Sequence, residues 1–370
     1  MRMCYNRLIR SCKTESEIDM AKDCNQNCRL GKVGGEAVLE GVMMRSGDRY
    51  SVASRKEDGS IEVSNHTYAS LRKKNKFFNL PLIRGLVALY ESFKLSFKVL
   101  SISAEAQGVD LDEPETKFEK WLLKVFGDKV FNVIMGVAGF FGVLLAIGLF
   151  FLLPTAAAKG LDWLVGTVGL SFGIEGLGLP NWSMTLCEGI IRIAVFVCYI
   201  LLVSLMPDIR RTFEYHGAEH KSIACYESGE ELTPENAKKH TRFHARCGTS
   251  FIFVMLILSV LVFSLPFVPW DNIWLRYAIK LPLMPIICGL GFEFIAYAGK
   301  HDNILTKVLS APGLWMQRVT TREPDEKQLE IAITALKASM PEEFDPAEVE
   351  ATIAASKPVT EEPEAESDDN

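Results

Sequence analysis

The sequence predicts an α-helical polytopic membrane protein with about four transmembrane helices, a small cytoplasmic β-rich unit and amphipathic helices. Three observations carry this. Apolar runs recur between residues 130 and 298, and the first of them, Val130–Leu153, contains no charge. Mean hydropathy is positive although 23% of residues are charged, so apolar and polar residues are segregated along the chain. Between the second and third runs lies a polar stretch, Tyr215–Ser250, that holds four of the six histidines.

The chain has 370 residues and a net charge of −6, which argues against a general nucleic-acid binder. Nine cysteines, scattered and odd in number, fit no disulfide framework. Residues 1–31 read as a variable leader without a cleavable signal peptide, since they lack an apolar core segment. Cys4, Cys12, Cys24 and Cys28 fall there, too irregularly spaced for a zinc knuckle. Residues 32–70 form the β-rich unit: GGEAVLEGVMMRSG is followed by a hairpin in which Val52 and Ala53 face Ile61 and Val63 across an Asp58–Gly59 turn. Its glycines match no phosphate-binding loop. They read either as close-approach positions or as turns and bulges.

Residues 71–129 hold an amphipathic helix, Phe77–Ala104, too charged to span centrally, and a polar linker. The membrane domain covers 130–310. Its spans are Val130–Leu153, closed by Pro154; Met184–Met206, with Glu188 and Arg192 placed to pair; Phe251–Val268; and Leu281–Ala298, with Glu293 inside it. Thr155–Ser183 is expected to be interfacial or re-entrant, and the glycines Gly136, Gly139, Gly142 and Gly148 suit close helix contact. Lys and Arg counts put both termini and the 207–250 segment on the cytoplasmic side of the membrane, with Lys159, Arg276 and Lys280 in the outer connections. An amphipathic helix region at 311–340 and an acidic, disordered tail at 341–370 complete the chain.

The chemistry is concentrated in 207–250. His216, Glu219 and His220 spell H-x-x-E-H, which on a helix puts two imidazoles one turn apart with a carboxylate between them. That pattern can hold a divalent transition metal, zinc first, with Glu219 as general base. Thr233–Pro234 starts a second helix, expected to run into the third span with His240, His244 and Cys247 on one face. The whole segment is thus a helical hairpin. Glu293 is a further candidate ligand, with His301 and Asp302 just beyond its span. The plainer readings are interfacial histidines, Cys225 and Cys247 as small buried hydrophobes, and Glu293 balancing Arg242 or Arg246.

GGEAVLEGVMMRSG, YHGAEHKSIACYE and HTRFHARCGTSF together resemble the YqhQ-like family of bacterial membrane proteins, a family of unknown function, over roughly Gly31–Lys337. The resemblance implies a predicted metal-dependent enzyme whose ligands map onto His216, His220, His240, His244 and Cys247. Such proteins commonly have Gln after the paired glycines, where this chain has Glu36, which weakens any role for that side chain.

Two function classes follow. One is a cytoplasm-facing, metal-dependent hydrolase acting on a membrane-associated substrate. The other is a non-enzymatic scaffold, assembly or insertion factor whose His/Cys hairpin is structural. An open coordination position favours the first and a closed site the second. Ion transport is weaker, because no internal repeat is visible. The expected partners are the lipid bilayer and an unidentified membrane-associated substrate or protein. Nucleic acid is not among them, and an oligomer is allowed.

Overall fold

The computed structural model describes residues 29–107, 130–174, 176–244, 247–265, 270, 272–298 and 303–356. The leader cysteines, the linker after Gln107, Arg246, His301, Asp302 and the segment 357–370 lie outside these residues.

Four strands, β1 (Val33–Val38), β2 (Gly41–Ser46), β3 (Arg49–Arg55) and β4 (Ile61–Thr67), pair antiparallel in sequence order. The hairpin read at Asp58–Gly59 joins β3 to β4: Ala53 pairs with Val63, and Gly59 takes φ +86°. The main helices follow as α1 (Ile83–Ala106), α2 (Val130–Ile147), α3 (Leu153–Ser171), α4 (Asn181–Val203), α5 (Pro207–Ser228), α6 (Pro234–Lys239), α7 (Gly248–Phe263), α8 (Ile273–Ala298), α9 (Ile304–Thr320), α10 (Glu326–Ser339) and α11 (Pro346–Ser356).

Period-two alternation gives the sheet two buried faces. Met43, Tyr50 and Val52 meet Leu95 and Val99 of α1 on one side. Val42, Met44, Ala53 and Ile61 meet α5 and α10 on the other. The helix expected to be amphipathic near the C-terminus is therefore a core helix: Leu329, Ile331, Ile333 and Leu336 of α10 are all buried. Each such side chain contributes roughly 1.5–3 kcal/mol of transfer free energy. Sheet, α5 and α10 form the block on which the histidines are mounted.

Three helices are long and apolar enough to cross a membrane, judged by length and composition: Gly136–Ser171, Asn181–Val203 and Ile273–Tyr297. Two expectations change here. Pro154 does not end the first span. A π-turn at Gly148–Leu152 joins α2 to α3 as one continuous helix, and the expected re-entrant piece is helical to Ser171. The proline ring displaces the carbonyl four residues earlier. That carbonyl, on Phe150, accepts instead from Arg192 Nε at 2.9 Å. The expected third span is shorter: its apolar helical part, Phe251–Phe263, covers about 20 Å, against about 30 Å of hydrocarbon. The close helix contact expected at the α2 glycines is not seen among the described residues: nothing lies within 4 Å of a Cβ built at Gly136, Gly139 or Gly142.

Glu188 and Arg192 pair as expected, at 2.6 Å. Arg276 and Lys280 are expected in an outer connection. Both instead belong to α8, are buried, and close on Glu188 at 2.5 Å each. A carboxylate ringed by three cations thus ties α4 to α8, with Thr155 of α3 donating a hydroxyl at 3.2 Å. Nearer the sheet, Gly85 of α1 meets Gly289 and Phe292 of α8, and Arg84 pairs with Glu293.

Candidate functional site

α5 begins with Pro207 at its first turn and ends at Gly229, which takes φ +82°. Between them the H-x-x-E-H run is helical, as the spacing requires. His216 and His220 sit one turn apart with ring centroids 4.4 Å from each other.

Gly217 determines what the first histidine can do. A Cβ there would come within 1.9 Å of the Arg322 carbonyl oxygen, so only glycine lets the chain after α9 cross α5 at this point. The crossing is fixed by the Arg322 N–H donating to the Phe213 carbonyl at 2.8 Å. It also brings the Thr320 carbonyl to 2.8 Å from His216 Nδ1. His220 Nδ1 lies 2.5 Å from the Arg242 carbonyl. A carbonyl oxygen only accepts, so in both rings Nδ1 carries the proton and, in the neutral ring, Nε2 keeps its lone pair.

Cys247 faces those lone pairs. Its Sγ is 3.2 Å from His216 Nε2, and the ligand atoms of His216, His220 and Cys247 all lie within 4.8 Å of one another. Two ring nitrogens with acceptor lone pairs and one thiol converge, each imidazole held by a backbone carbonyl behind it. This donor set fits a zinc-type ion, which takes N and S ligands and orients its imidazoles in this way. His220 is buried, whereas His216 and Cys247 are partly exposed, so the group is reached from one side.

Two carboxylates stand beside the donors. Glu219 is buried, with Oε2 4.0 Å from His216 Nε2, and it accepts the backbone N–H of Gly35. A Cβ on Gly35 would sit 2.7 Å from Glu219 Cγ, so the paired glycines let β1 lie against the carboxylate. Burial pushes the Glu219 carboxyl up, against His216 and His244, and Glu36 nearby adds to the rise. Burial also pushes Glu36 up; its carboxylate accepts the Ser96 hydroxyl at 2.8 Å and feels His216. Burial lowers His220, and Cys247 opposes this.

The other sequence candidates are distributed as follows. His244 packs near His220, ring centroids 5.6 Å apart, with its Nε2 3.8 Å from Glu227. His240 is not on a helix leading into the third span. α6 stops at Lys239 after six residues, and His240 is its extended C-cap. There it joins Cys225 and Glu230 in a second group, with Nε2 3.4 Å from Glu230. Burial pushes the Cys225 thiol up to about 11, which suits a small buried side chain. Glu293 is held by Arg84 and, among the described residues, groups with none of the histidines; Arg246 lies outside the described residues.

Sequence reasoning discounted Glu36 and missed the carbonyls of Thr320 and Arg242. A pair of glycines directly before a carboxylate was the available signal for the first. Nothing local in the sequence marks the carbonyls, because they arrive from residues distant along the chain.

The sequence profile of the family described as "Protein of unknown function (DUF1385)" matches residues 80–342. The uncharacterized protein YqhQ of Bacillus subtilis is 35% identical over 301 residues, covering 81% of this chain and 89% of that one. A gluconate permease of Pseudomonas aeruginosa is 33% identical over 135 residues, 36% of this chain and 28% of the permease. No solved structure matches.

Proposed function

We propose, since the chain belongs to the DUF1385 family of proteins of unknown function and its soft donors converge on one point, that it is a bacterial inner-membrane protein with a zinc-type centre at His216, His220 and Cys247 that serves hydrolysis of a membrane-associated substrate. The observation that carries this is the use of both Nδ1 atoms on backbone carbonyls, which leaves two Nε2 lone pairs facing one thiol. Histidines kept only for packing have no need of matched tautomers. Three protein ligands leave a fourth tetrahedral position, the arrangement of catalytic rather than structural sites.

A zinc ion held there supplies Lewis-acid polarisation of a carbonyl or phosphoryl oxygen. The remaining roles fall to the chain itself. Thr320 and Arg242 hold the ring planes. Glu219 Oε2 lies beside the donors, where it can take and return a proton, with its carboxylate fixed by the Gly35 N–H. Glu36, held by the Ser96 hydroxyl, adds negative charge near Glu219. The lysines and arginines flanking the apolar helices support a cytoplasmic position for this block and for both termini.

Cobalt substitution tests the reading. The cobalt-loaded protein is expected to show a sulfur-to-metal charge-transfer band that vanishes in Cys247→Ser. Its visible bands should shift when azide is added, because a coordination position is open. Glu219→Gln should keep the cobalt spectrum and lose hydrolysis of membrane lipid extract, followed by mass spectrometry of the products. A spectrum indifferent to azide means a closed site and a structural role, the scaffold alternative.

A further inference from the structure

A second site, independent of the metal reading, lies on the opposite face of the sheet. Between the β4 edge and α1 is a cleft of ≈ 300 Å³, lined among others by Tyr50, Lys74, Tyr90, Glu91, Lys94 and Lys98. Three of these six side chains are lysines, and none of the three has a carboxylate partner among the described residues. The one acid is already committed: Glu91 accepts from the Ser70 hydroxyl and the Leu71 N–H, and lies 3.5 Å from Arg72. The cleft therefore carries unbalanced positive charge.

The second observation is the Tyr50 hydroxyl. Tyr50 is 1% exposed, lines the cleft, and its oxygen has no hydrogen-bond partner among the described residues. A buried hydroxyl without a partner costs on the order of 1–3 kcal/mol, a burden relieved by an acceptor arriving in the cleft. Lys98 Nζ stands 5.7 Å from the centroid of the same ring.

The surroundings identify the source of that acceptor. Along α1, Leu86, Tyr90, Phe93, Phe97 and Leu100 are exposed, each three or four residues from the next, so they form one outward apolar stripe. Phe77, Leu80 and Leu82 extend it toward α8, where Gly85 packs on Gly289 and Phe292 of a helix long enough to cross a membrane. An apolar stripe continuous with the membrane helices and bordered by lysines is the pattern of a helix lying in the lipid interface. We propose that the cleft binds the phosphate headgroup of an anionic membrane lipid, with Lys74, Lys94 and Lys98 around the phosphate, the Tyr50 hydroxyl donating to it, and the acyl chains along the α1 stripe.

Native mass spectrometry of the full chain in detergent, titrated with dioleoylphosphatidylglycerol or dioleoylphosphatidylcholine, tests this. Wild type should retain the glycerol lipid preferentially. Lys74→Gln/Lys94→Gln/Lys98→Gln should weaken that retention by at least about tenfold, each lysine near an anionic surface being worth roughly a fivefold factor, and leave phosphatidylcholine unaffected. Tyr50→Phe removes only the unpartnered hydroxyl. It should weaken retention several-fold without lowering the melting temperature of lipid-free protein, which separates binding from folding. Equal retention of the two lipids by wild type, or unchanged retention in the triple variant, overturns the proposal. So does binding of glycerol 3-phosphate through the same lysines in protein that ignores the lipid, which would make the ligand a soluble phosphate.

Discussion

Two clusters of polar side chains lie at opposite ends of the chemistry this chain displays. In the helix layer, Glu188 is closed on by Arg192, Arg276 and Lys280 at 2.5–2.6 Å, all of them buried. On the sheet-backed block, His216, His220 and Cys247 converge beside Glu219, and the outer nitrogen of each ring is spent on a carbonyl. The first cluster is centred on one carboxylate: three cations close on Glu188 and, with Thr155, tie α3, α4 and α8 together. The second is closed inward only by a thiol, with both Nε2 lone pairs turned toward Cys247. A buried charge network that closes on itself holds helices; a set of soft donors held from behind awaits a ligand. That contrast separates a structural cluster from a functional one more sharply than burial or residue type.

The comparison can be broken most severely at Glu188. Glu188→Ala leaves three buried cations without their shared carboxylate, and breaking a buried pair by removing one partner costs about 3–5 kcal/mol. The expected outcome is a large fall in melting temperature or loss of folded protein from membranes, with metal content per folded molecule unchanged. A well-folded Glu188→Ala protein would show that the network does not hold the helices.

The donor cluster should behave oppositely. In wild type, a chelator should lower stability by about 2.7 kcal/mol if zinc is present at a hundred times its dissociation constant. His216→Ala/His220→Ala should abolish that chelator response, measured as the difference in melting temperature with and without chelator, and still fold. Between these extremes lies Gly217→Ala. Its methyl group displaces the Arg322 crossing and with it the Thr320 carbonyl behind His216. Loss of such an orienting partner typically costs 10–100-fold in metal affinity, to be read by competition against a chromogenic chelator. The smallest effect is expected of Glu293→Gln. Glu293 is paired with Arg84 away from the histidines, so zinc content should match wild type.

How far these clusters were legible in the sequence depended on distance along the chain. H-x-x-E-H could be read because helical spacing is local, and Glu188 with Arg192 for the same reason. Cys247 was selected through a helix that does not form. α6 ends at Lys239 with His240 extended, α7 starts at Gly248, and between them Arg242 and Cys247 supply the carbonyl and the thiol. Glu36 was discounted because similar proteins commonly carry Gln there, and its burial against Ser96 of α1 depends on packing distant along the chain that no local pattern encodes. Arg276 and Lys280 looked like loop charges because an apolar window begins only at Leu281, yet the helix starts at Ile273 with Glu188 waiting to receive them. Pro154 looked like a stop, and the π-turn with Arg192 behind it let the helix continue.

The most direct test of the central claim is the metal content of the purified, detergent-solubilised full chain, compared among wild type, His216→Ala and His240→Ala. The account predicts near-stoichiometric zinc in wild type and in His240→Ala, and its loss in His216→Ala. Folded wild type without metal, or zinc that survives His216→Ala but not His240→Ala, would contradict it.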